Sequence, residues 1–312
     1  MSATHQETSD STDCAAASTA PVTLRIEASS TVLGEGMRIY RAMPSRQRRM
    51  IGAWCFLDHF GPLDVTLGRG LRVGPHPHIG LQTVTWPLQG EILHRDSLGS
   101  MQLIRPGQLN LMTAGRGISH SEESPLERTK TLHGAQLWIA LPDSARHGEP
   151  AFSHHAALPV IQRNGLRITV LLGKAFGERS PGRIFTPLVG MELQTAGPVN
   201  SKLPIDPAFE YGALVLNGTA TVEGETLAPG TLLYLGCGRE SLEVSSTGPT
   251  TLLLIGGEPF REPLLMWWNF VARDKSEIIQ ACRDWNKAVD YMGDVQGYDG
   301  ARLTAPMPPW AE

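Results

Sequence analysis

The sequence predicts an all-β fold in which two double-sheet barrels are stacked and a short C-terminal helix follows. Three observations support this prediction. Short runs of alternating apolar residues, such as 81–86 and 252–255, are separated by glycine, proline, asparagine and aspartate. Such runs are typical of β-strands joined by tight turns. The order of strands and turns occurs twice along the chain, and only residues 275–291 have several apolar side chains at helical spacing.

The first 22 residues are predicted to be a disordered tail. Their first twenty are rich in Ser, Thr and Ala and contain no Lys or Arg, the first of which is Arg25. A secretory signal needs a basic start and an apolar core, and a mitochondrial presequence needs arginines, so neither fits. No apolar run is long enough for a bilayer, and the four cysteines are scattered. These features predict a cytoplasmic protein with no membrane partner.

The formal net charge of −4 leaves no basic surface for direct binding to nucleic acid. The region predicted as the first barrel, residues 23–150, instead contains two short polar pairs. His76 and His78 are two residues apart, and so are His120 and Glu122. Side chains with this spacing diverge on a helix but share one face of a strand. Two neighbouring strands would therefore direct three imidazoles and one carboxylate to one point, a mixed nitrogen and oxygen metal site with open positions.

The internal repeat predicts a second barrel at residues 188–265, after a linker at 151–187 that also holds the start of this barrel. In each copy a strand ends at a glycine turn, a return strand follows, and a Pro-Gly turn begins another strand. These turns contain Gly90 and Pro106-Gly107 in the first copy, and Gly218 and Pro229-Gly230 in the second. All ten histidines lie at or before position 155, so only the first barrel is predicted to bind metal. Residues 266–312 are predicted to form a C-terminal extension with the helix.

Two stretches, HPHIGLQTVTWPLQGEILHRDS and IRPGQLNLMTAGRGISHSE, resemble the pirin family of the cupin superfamily. The resemblance is strong over residues 32–141 and weaker over 189–262. It implies that both barrels are cupins, which are double-stranded β-helices or jelly rolls. It also places the family's metal, which is iron in the best-known members, on the four residues that the spacing selects: His76, His78, His120 and Glu122.

The chain departs from many family members at Ile79 and Gln82, where they have Arg and Glu. If the strand of the first histidine pair runs on unbroken, Gln82 shares its face and lines the metal cavity. Gly80 allows a bend that would turn Gln82 away. The sequence leaves both arrangements open.

The resemblance implies one of two functions. Some pirin-like proteins resemble quercetin 2,3-dioxygenases, and the predicted site leaves roughly two positions for a small planar phenol or enol and O2. Glu122 is then the predicted catalytic residue, because its carboxylate can accept the hydroxyl proton of a flavonol. The alternative is a non-catalytic, metal-dependent regulator that binds a transcription factor or an enzyme as its protein partner. Fe(II) is the expected divalent ion, while Ni, Mn, Cu, Co and Zn also suit the ligand set.

Other polar and aromatic residues near the motifs are predicted to be structural. His94 and Asp96 lie in a hairpin and are expected to form turn hydrogen bonds rather than to bind metal. Trp267 and Trp268 would point in opposite directions on a strand. One of them is expected in the core, and the other is expected to cover the neighbouring barrel or a partner.

Overall fold

The computed structural model describes residues 21–33, 37–66 and 68–311. Apart from residues 21 and 22, the predicted disordered tail lies outside this part of the chain. The strands that precede residue 141 are β1 (Leu24–Glu27), β2 (Ser29–Leu33), β3 (Met37–Met43), β4 (Trp54–Asp64), β5 (Arg72–His78), β6 (Leu81–Gln89), β7 (Ile92–Asp96), β8 (Met101–Ile104), β9 (Leu109–Thr113), β10 (Ile118–Glu123) and β11 (Thr131–Ala140).

The strands that follow are β12 (Ala151–His155), β13 (Val160–Arg163), β14 (Leu166–Leu172), β15 (Lys174–Ala175), β16 (Glu178–Arg179), β17 (Leu188–Thr195), β18 (Val199–Pro204), β19 (Glu210–Asn217), β20 (Ala220–Val222), β21 (Glu225–Leu227), β22 (Thr231–Gly236), β23 (Ser241–Ser246), β24 (Thr250–Gly257), β25 (Leu265–Trp267) and β26 (Phe270–Ala272). Two helical elements come last, α1 (Lys275–Asn286) and a single 3-10 turn (Asp290–Met292).

Each barrel consists of one seven-stranded and one four-stranded antiparallel sheet. In the first barrel the strand orders are β12-β9-β6-β11-β4-β3-β2 and β5-β10-β7-β8. In the second barrel they are β1-β22-β19-β24-β17-β14-β13 and β18-β23-β20-β21. The two barrels therefore match strand for strand, as the internal repeat predicts. The predicted all-β fold of two cupin barrels with a short C-terminal helix is confirmed.

In each seven-stranded sheet, one edge strand comes from outside the repeat that forms the rest of the sheet. β1, which lies in the region predicted as the first barrel, pairs with β22 of the second, with Leu24 opposite Tyr234. β12, which lies in the predicted linker, pairs with β9 of the first barrel, with Ala151 opposite Thr113. The structure thus differs from the predicted boundaries at 23 and 150. Both strands are short, and local alternation carries no information about a distant pairing partner.

An apolar core joins the two barrels. It contains Trp54, Leu57 and Leu137 of the first barrel together with Leu232 and Ile255 of the second. Polar contacts cross the same interface, since the indole N–H of Trp86 donates to Glu192 Oε2 at 2.8 Å and that of Trp54 donates to Gly256 O at 3.2 Å. Burial of this many large side chains at about 25 cal/mol per Å² makes the interface a principal source of stability.

The C-terminal extension returns to the first barrel and packs on β5. The N–H of Val271 donates to Ile79 O at 3.1 Å, and the N–H of Leu303 donates to Pro75 O at 2.8 Å. At Gly80, where φ is +70°, an added Cβ would lie 2.1 Å from Val271 O. Glycine is therefore required here both for its left-handed backbone and for the close approach of the extension.

Helix α1 is shorter than the predicted 275–291. It begins after Asp274, whose Oδ1 accepts the N–H groups of Ser276 and Glu277 at 2.9 and 3.0 Å, as a helix N-cap does. It ends before Ala288, because this residue has a left-handed φ of +55° that a helix cannot contain. No helix in the described part of the chain is long and apolar enough to cross a membrane.

Candidate metal centre

Strand β5 carries the first two histidines at the edge of the four-stranded sheet. Pro75 and Pro77 flank His76 and have no N–H to donate, which suits an edge strand. β5 also contains a bulge, because His120 of β10 pairs with His76 whereas Glu122 pairs with Val73. His76, His78 and His120 are all buried and line one cavity.

The three imidazoles present nitrogen atoms to a common point. One nitrogen from each of His76, His78 and His120 lies within 4.8 Å of the other two. Nε2 of His78 lies 3.1 Å from Nε2 of His120. For ligand distances near 2.1 Å, two nitrogens at right angles around one ion would be about 3 Å apart. The separation therefore suits neighbouring ligands of a single metal ion.

Outer hydrogen bonds orient two of these rings. The Nδ1–H of His76 donates to Gly74 O at 2.8 Å, and that of His78 donates to Asn269 O at 3.0 Å. These bonds assign the hydrogen to Nδ1 and leave Nε2 as the nitrogen with a free lone pair. Asn269 belongs to the C-terminal extension, so this segment takes part in shaping a site of the first barrel.

Burial keeps the imidazoles neutral. Desolvation lowers the pKa of His76 to about 4, and the Gly74 carbonyl opposes this only in part. The pKa values of His78 and His120 lie well below the usual range, again chiefly because of burial and then because of the neighbouring histidines. Neutral imidazoles are the form that binds metal. The donor set therefore fits a divalent cation.

Glu122 lies beside the histidines but contacts a different neighbour. Its Oε1 accepts a hydrogen bond of 3.0 Å from the hydroxyl of Thr85, which is on β6 of the opposite sheet. Burial raises the pKa of Glu122, while His94 and Thr85 lower it. Glu122 shares a second group of possible ligands with His94 and His120, whose ligand atoms also lie within 4.8 Å of one another. The structure thus brings all four predicted residues to one cavity, and His94 lies beside His120 and Glu122.

His94 is the polar residue that sequence reasoning placed in a turn. In the structure it lies inside β7, next to β10, and its Nδ1 is 3.5 Å from Nδ1 of His120. Its Nε2 is 3.1 Å from Asp96 Oδ2, and its ring stacks on Phe152. Asp96 has the predicted turn role, since its Oδ1 accepts the N–H of Leu98 at 2.9 Å. The signal that was missed is the spacing of two between His94 and Asp96, which is the same as in the two metal-site pairs.

Gln82 does not line the cavity. The chain bends at Gly80, and the side-chain amide of Gln82 donates to Thr113 Oγ1 at 2.9 Å and to Arg183 O at 3.1 Å. Gln82 therefore links β6 to the segment that leads into the second barrel. Of the two arrangements that the sequence left open, the structure has the bent one.

The tryptophan pair divides as predicted. Trp267 is buried and donates its indole N–H to Pro306 O at 2.7 Å. Trp268, which has a left-handed φ of +51°, lies at the wall of the first barrel's cavity. Sequence reasoning did not place Trp268 at the metal site, because it could not foresee that the extension folds back onto β5.

The cavity that contains the histidines has a volume of about 440 Å³. Phe56 and Trp138 form a stacked pair on one wall, with ring centroids 4.0 Å apart. The guanidinium of Arg41 lies over Phe56 and forms two hydrogen bonds of 2.8 Å with Asp58. The site thus combines a cluster of nitrogen donors with flat apolar walls and one fixed ion pair, which is a common composition for small-molecule sites.

Two cupin barrels in one chain, with a buried histidine cluster in only the first, define a bicupin with one candidate metal centre. A family model described as Pirin matches residues 36–139, and one described as Pirin C-terminal cupin domain matches residues 190–289. The chain belongs to the pirin family, as its motifs predict. The histidine cluster and the relatives of the chain support a divalent metal cofactor.

Individual relatives match most of the chain. "Putative quercetin 2,3-dioxygenase PA1205" of Pseudomonas aeruginosa is 50% identical over 286 residues, which cover 92% of this chain and 90% of that protein. A "Pirin-like protein" of Caulobacter vibrioides is 38% identical over 252 residues, or 78% of this chain and 86% of that protein. A crystal structure of quercetin 2,3-dioxygenase from Acinetobacter baumannii has a TM-score of 0.90 at 48% identity, and the match covers 92% of this chain and 96% of that chain.

Proposed function

We propose that this protein is a metal-dependent oxygenase of the quercetin 2,3-dioxygenase type. In this proposal His76, His78, His120 and Glu122 hold one ion in the first barrel, and a flavonol or a similar planar enol or phenol is the substrate with O2. The observation that carries the proposal is the cluster of three buried, neutral imidazoles in a cavity with aromatic walls. The quercetin 2,3-dioxygenase names of relatives at 50% and 48% identity support the reaction type.

The cavity walls suit a flat aromatic substrate. Phe56 and Trp138 offer a stacked surface on which a ring system can lie, and offset stacking contributes about 0.5–1.5 kcal/mol per pair. Trp268 of the extension lies at the same cavity and helps to exclude water from a bound substrate. The volume of about 440 Å³ is within the usual range of small-molecule sites.

Glu122 is proposed to act as the base. A divalent ion in the site supplies Lewis acidity, which makes a bound enol or phenol hydroxyl more acidic. Glu122 can accept this proton at a carboxylate oxygen, and burial strengthens it as a base because it raises its pKa. The hydroxyl of Thr85 holds Oε1 and so fixes the direction of the carboxylate. His94 is proposed to orient His120 from behind.

Fe(II) is proposed as the native ion. Three imidazoles and one carboxylate form a set of intermediate softness that suits iron and leaves roughly two of its six positions for other ligands. The same set also suits Ni, Mn, Cu, Co and Zn, so the ion is best identified by elemental analysis of the protein expressed without added metal. Cytoplasmic location stays a prediction from the sequence.

The test is aerobic incubation of the metal-loaded protein with quercetin. The expected result is loss of flavonol absorbance together with consumption of O2 and release of carbon monoxide, none of which occurs with His76→Ala. No turnover with iron, nickel, manganese or copper would contradict the proposal. That result would favour the alternative function, a metal-dependent regulator that binds a protein partner without turnover.

A further inference from the structure

A second cavity lies beside the second barrel and has no part in the candidate metal centre. Its volume is about 690 Å³. It lies between the β15–β16 hairpin, the segment that enters β17, and the connection from β18 to β19. We call it the second-barrel cavity. Val189 and Met191 form a buried apolar floor. Its walls include four aromatic rings, which belong to Phe176, Phe185, Phe209 and Tyr211.

Two cations lie together at this cavity without an acidic partner. Lys174 and Arg179 both line it, both are exposed, and they are directly opposite each other in the β15–β16 pair. Like charges in this position repel each other, and no described acidic side chain forms an ion pair with either. Asp206 is the one acidic residue of this lining, and its Oδ1 accepts the N–H of Ala208 at 2.9 Å. The lining therefore has two basic side chains and one acidic one, which leaves an excess of one positive charge for a ligand anion.

Two hydroxyl groups add unused hydrogen-bonding capacity. The hydroxyl oxygen of Thr186 is buried, yet it has no hydrogen-bond partner among the described residues. Buried polar atoms without partners are rare in folded proteins and call for an explanation such as an absent ligand. The hydroxyl of Tyr211 accepts the N–H of Asp206 at 2.9 Å, so its own hydrogen can still be donated. Both hydroxyls can donate to an anionic group.

The tip of the hairpin shows backbone strain. Phe176 and Gly177 form its two-residue turn, with φ values of +51° and +90°. Turns of this kind favour Asn or Gly at the first position, and a bulky side chain there is disfavoured. The ring of Phe176 lines the cavity, and the guanidinium of Arg163 lies 5.2 Å from the centre of this ring.

We propose that the second-barrel cavity binds a small aromatic carboxylate. The aromatic walls accept the ring, and the carboxylate lies between Lys174 and Arg179 in the cavity that Thr186 and Tyr211 also line. The aromatic side chains of the walls would accept any apolar molecule, whereas Lys174 and Arg179 favour a molecule with a negative charge. The bicupin thus has two sites of different chemistry, one in each barrel.

The test is calorimetric titration of the metal-loaded full chain with 2-naphthoate and with its neutral analogue 2-naphthamide. The naphthoate is expected to bind at least about tenfold more tightly than the amide, because only the naphthoate has a charge for the cations. The double variant Lys174→Gln/Arg179→Gln should weaken naphthoate binding about tenfold and change amide binding less than about twofold. Thr186→Val, which conserves shape, should weaken naphthoate binding by a smaller factor.

Two controls separate this site from others. Lys130→Gln/Arg116→Gln removes the same amount of charge from the surface of the first barrel and should leave naphthoate binding unchanged. His76→Ala removes any naphthoate binding at the metal of the first barrel and should leave the second-barrel cavity with its full affinity for one naphthoate, so the result does not depend on the proposed oxygenase activity. No binding of naphthoate to the wild-type protein, equal affinity for acid and amide, or loss of binding in His76→Ala would each overturn the proposal.

Discussion

The two barrels have the same strand order but differ where β5 meets β10 and where β18 meets β23. In the first barrel His120 is opposite His76, and the register shifts by a bulge before Glu122. In the second barrel Leu242 is opposite Leu203, Val244 is opposite Ser201, and the register is continuous. The comparison shows that one scaffold supports either a polar centre or a packed core. A few inward side chains and one bulge decide which of these it becomes.

The largest expected effect is loss of metal from the first barrel. His76→Ala and His78→Ala each remove one imidazole and should lower bound metal from roughly one equivalent per chain to less than about a tenth. Elemental analysis after dialysis measures this. His147→Gln, at an exposed position, should retain the full equivalent. Retention of metal by both alanine variants would contradict the assignment of the metal centre to the first barrel.

The next largest expected effect is on quercetin turnover, and it should differ between two buried carboxylates, one in each barrel. Glu122→Gln should reduce quercetin turnover about a hundredfold or more, because it removes the proposed base. It should reduce metal content much less. Glu192→Gln changes a carboxylate of the second barrel that accepts the Trp86 N–H, and turnover should stay near that of the wild type. If Glu122→Gln loses metal and turnover to the same extent, Glu122 acts only as a metal ligand and not as the base.

A substitution in the core of the second barrel should lower the stability of the protein without lowering its metal content. Leu203 is fully buried in the second barrel at the place that corresponds to the histidine strand. Leu203→Ala should lower the free energy of unfolding by about 2–5 kcal/mol, because it removes packed atoms and leaves a cavity. Denaturant unfolding measures this, and metal content measured below the transition should be unchanged. Loss of metal in this variant would show that the second barrel supports the site.

The smallest effect concerns a histidine pair behind the first barrel's cavity. Nε2 of His59 lies 2.8 Å from Nε2 of His133, and burial lowers the pKa of His59 to about 4. The unfolded chain, with a pKa near 6.5, binds this proton more readily, so the folded state loses stability as the pH falls from about 6.5 towards 4. At pH 5 the loss from His59 is of the order of 2 kcal/mol relative to pH 7.

Unfolding at pH 7 and pH 5 of the wild type, His59→Phe and His147→Gln measures this contribution. His59→Phe should show a smaller decline in stability between the two pH values, whereas His147→Gln should decline as the wild type does. An unchanged decline in His59→Phe would assign the acid sensitivity to other groups.

Much of the fold could be predicted because it is encoded locally. Alternating apolar runs and the glycine and Pro-Gly turns predict strands, and their repetition predicts two barrels. The spacing of two in each metal-site pair predicts that His76 and His78 share a face, which depends only on strand geometry. His120 and Glu122 reach the same cavity because β10 pairs with β5, a pairing that the spacing argument assumed and with which the resemblance to a known family agreed.

What could not be predicted depends on contacts between distant segments. Nothing local marks β1 as a strand of the second barrel, or Asn269 and Trp268 as neighbours of His78. His94 was assigned to a turn because its neighbours favour one, yet pairing of β7 with β10 places it beside His120. The orientation of Gln82 stayed open because Gly80 packs against the extension, which lies more than 180 residues later in the chain and gives no local signal.

The exchange of edge strands has a consequence for how the chain is made. β1 leaves the ribosome early, but its partner β22 emerges about two hundred residues later. β1 therefore has no pairing partner during most of synthesis. The wall of the metal cavity is also incomplete until the C-terminal extension has been synthesised. Neither half of the gene encodes a finished unit, and a fragment cut between the repeats should expose an unpaired sheet edge.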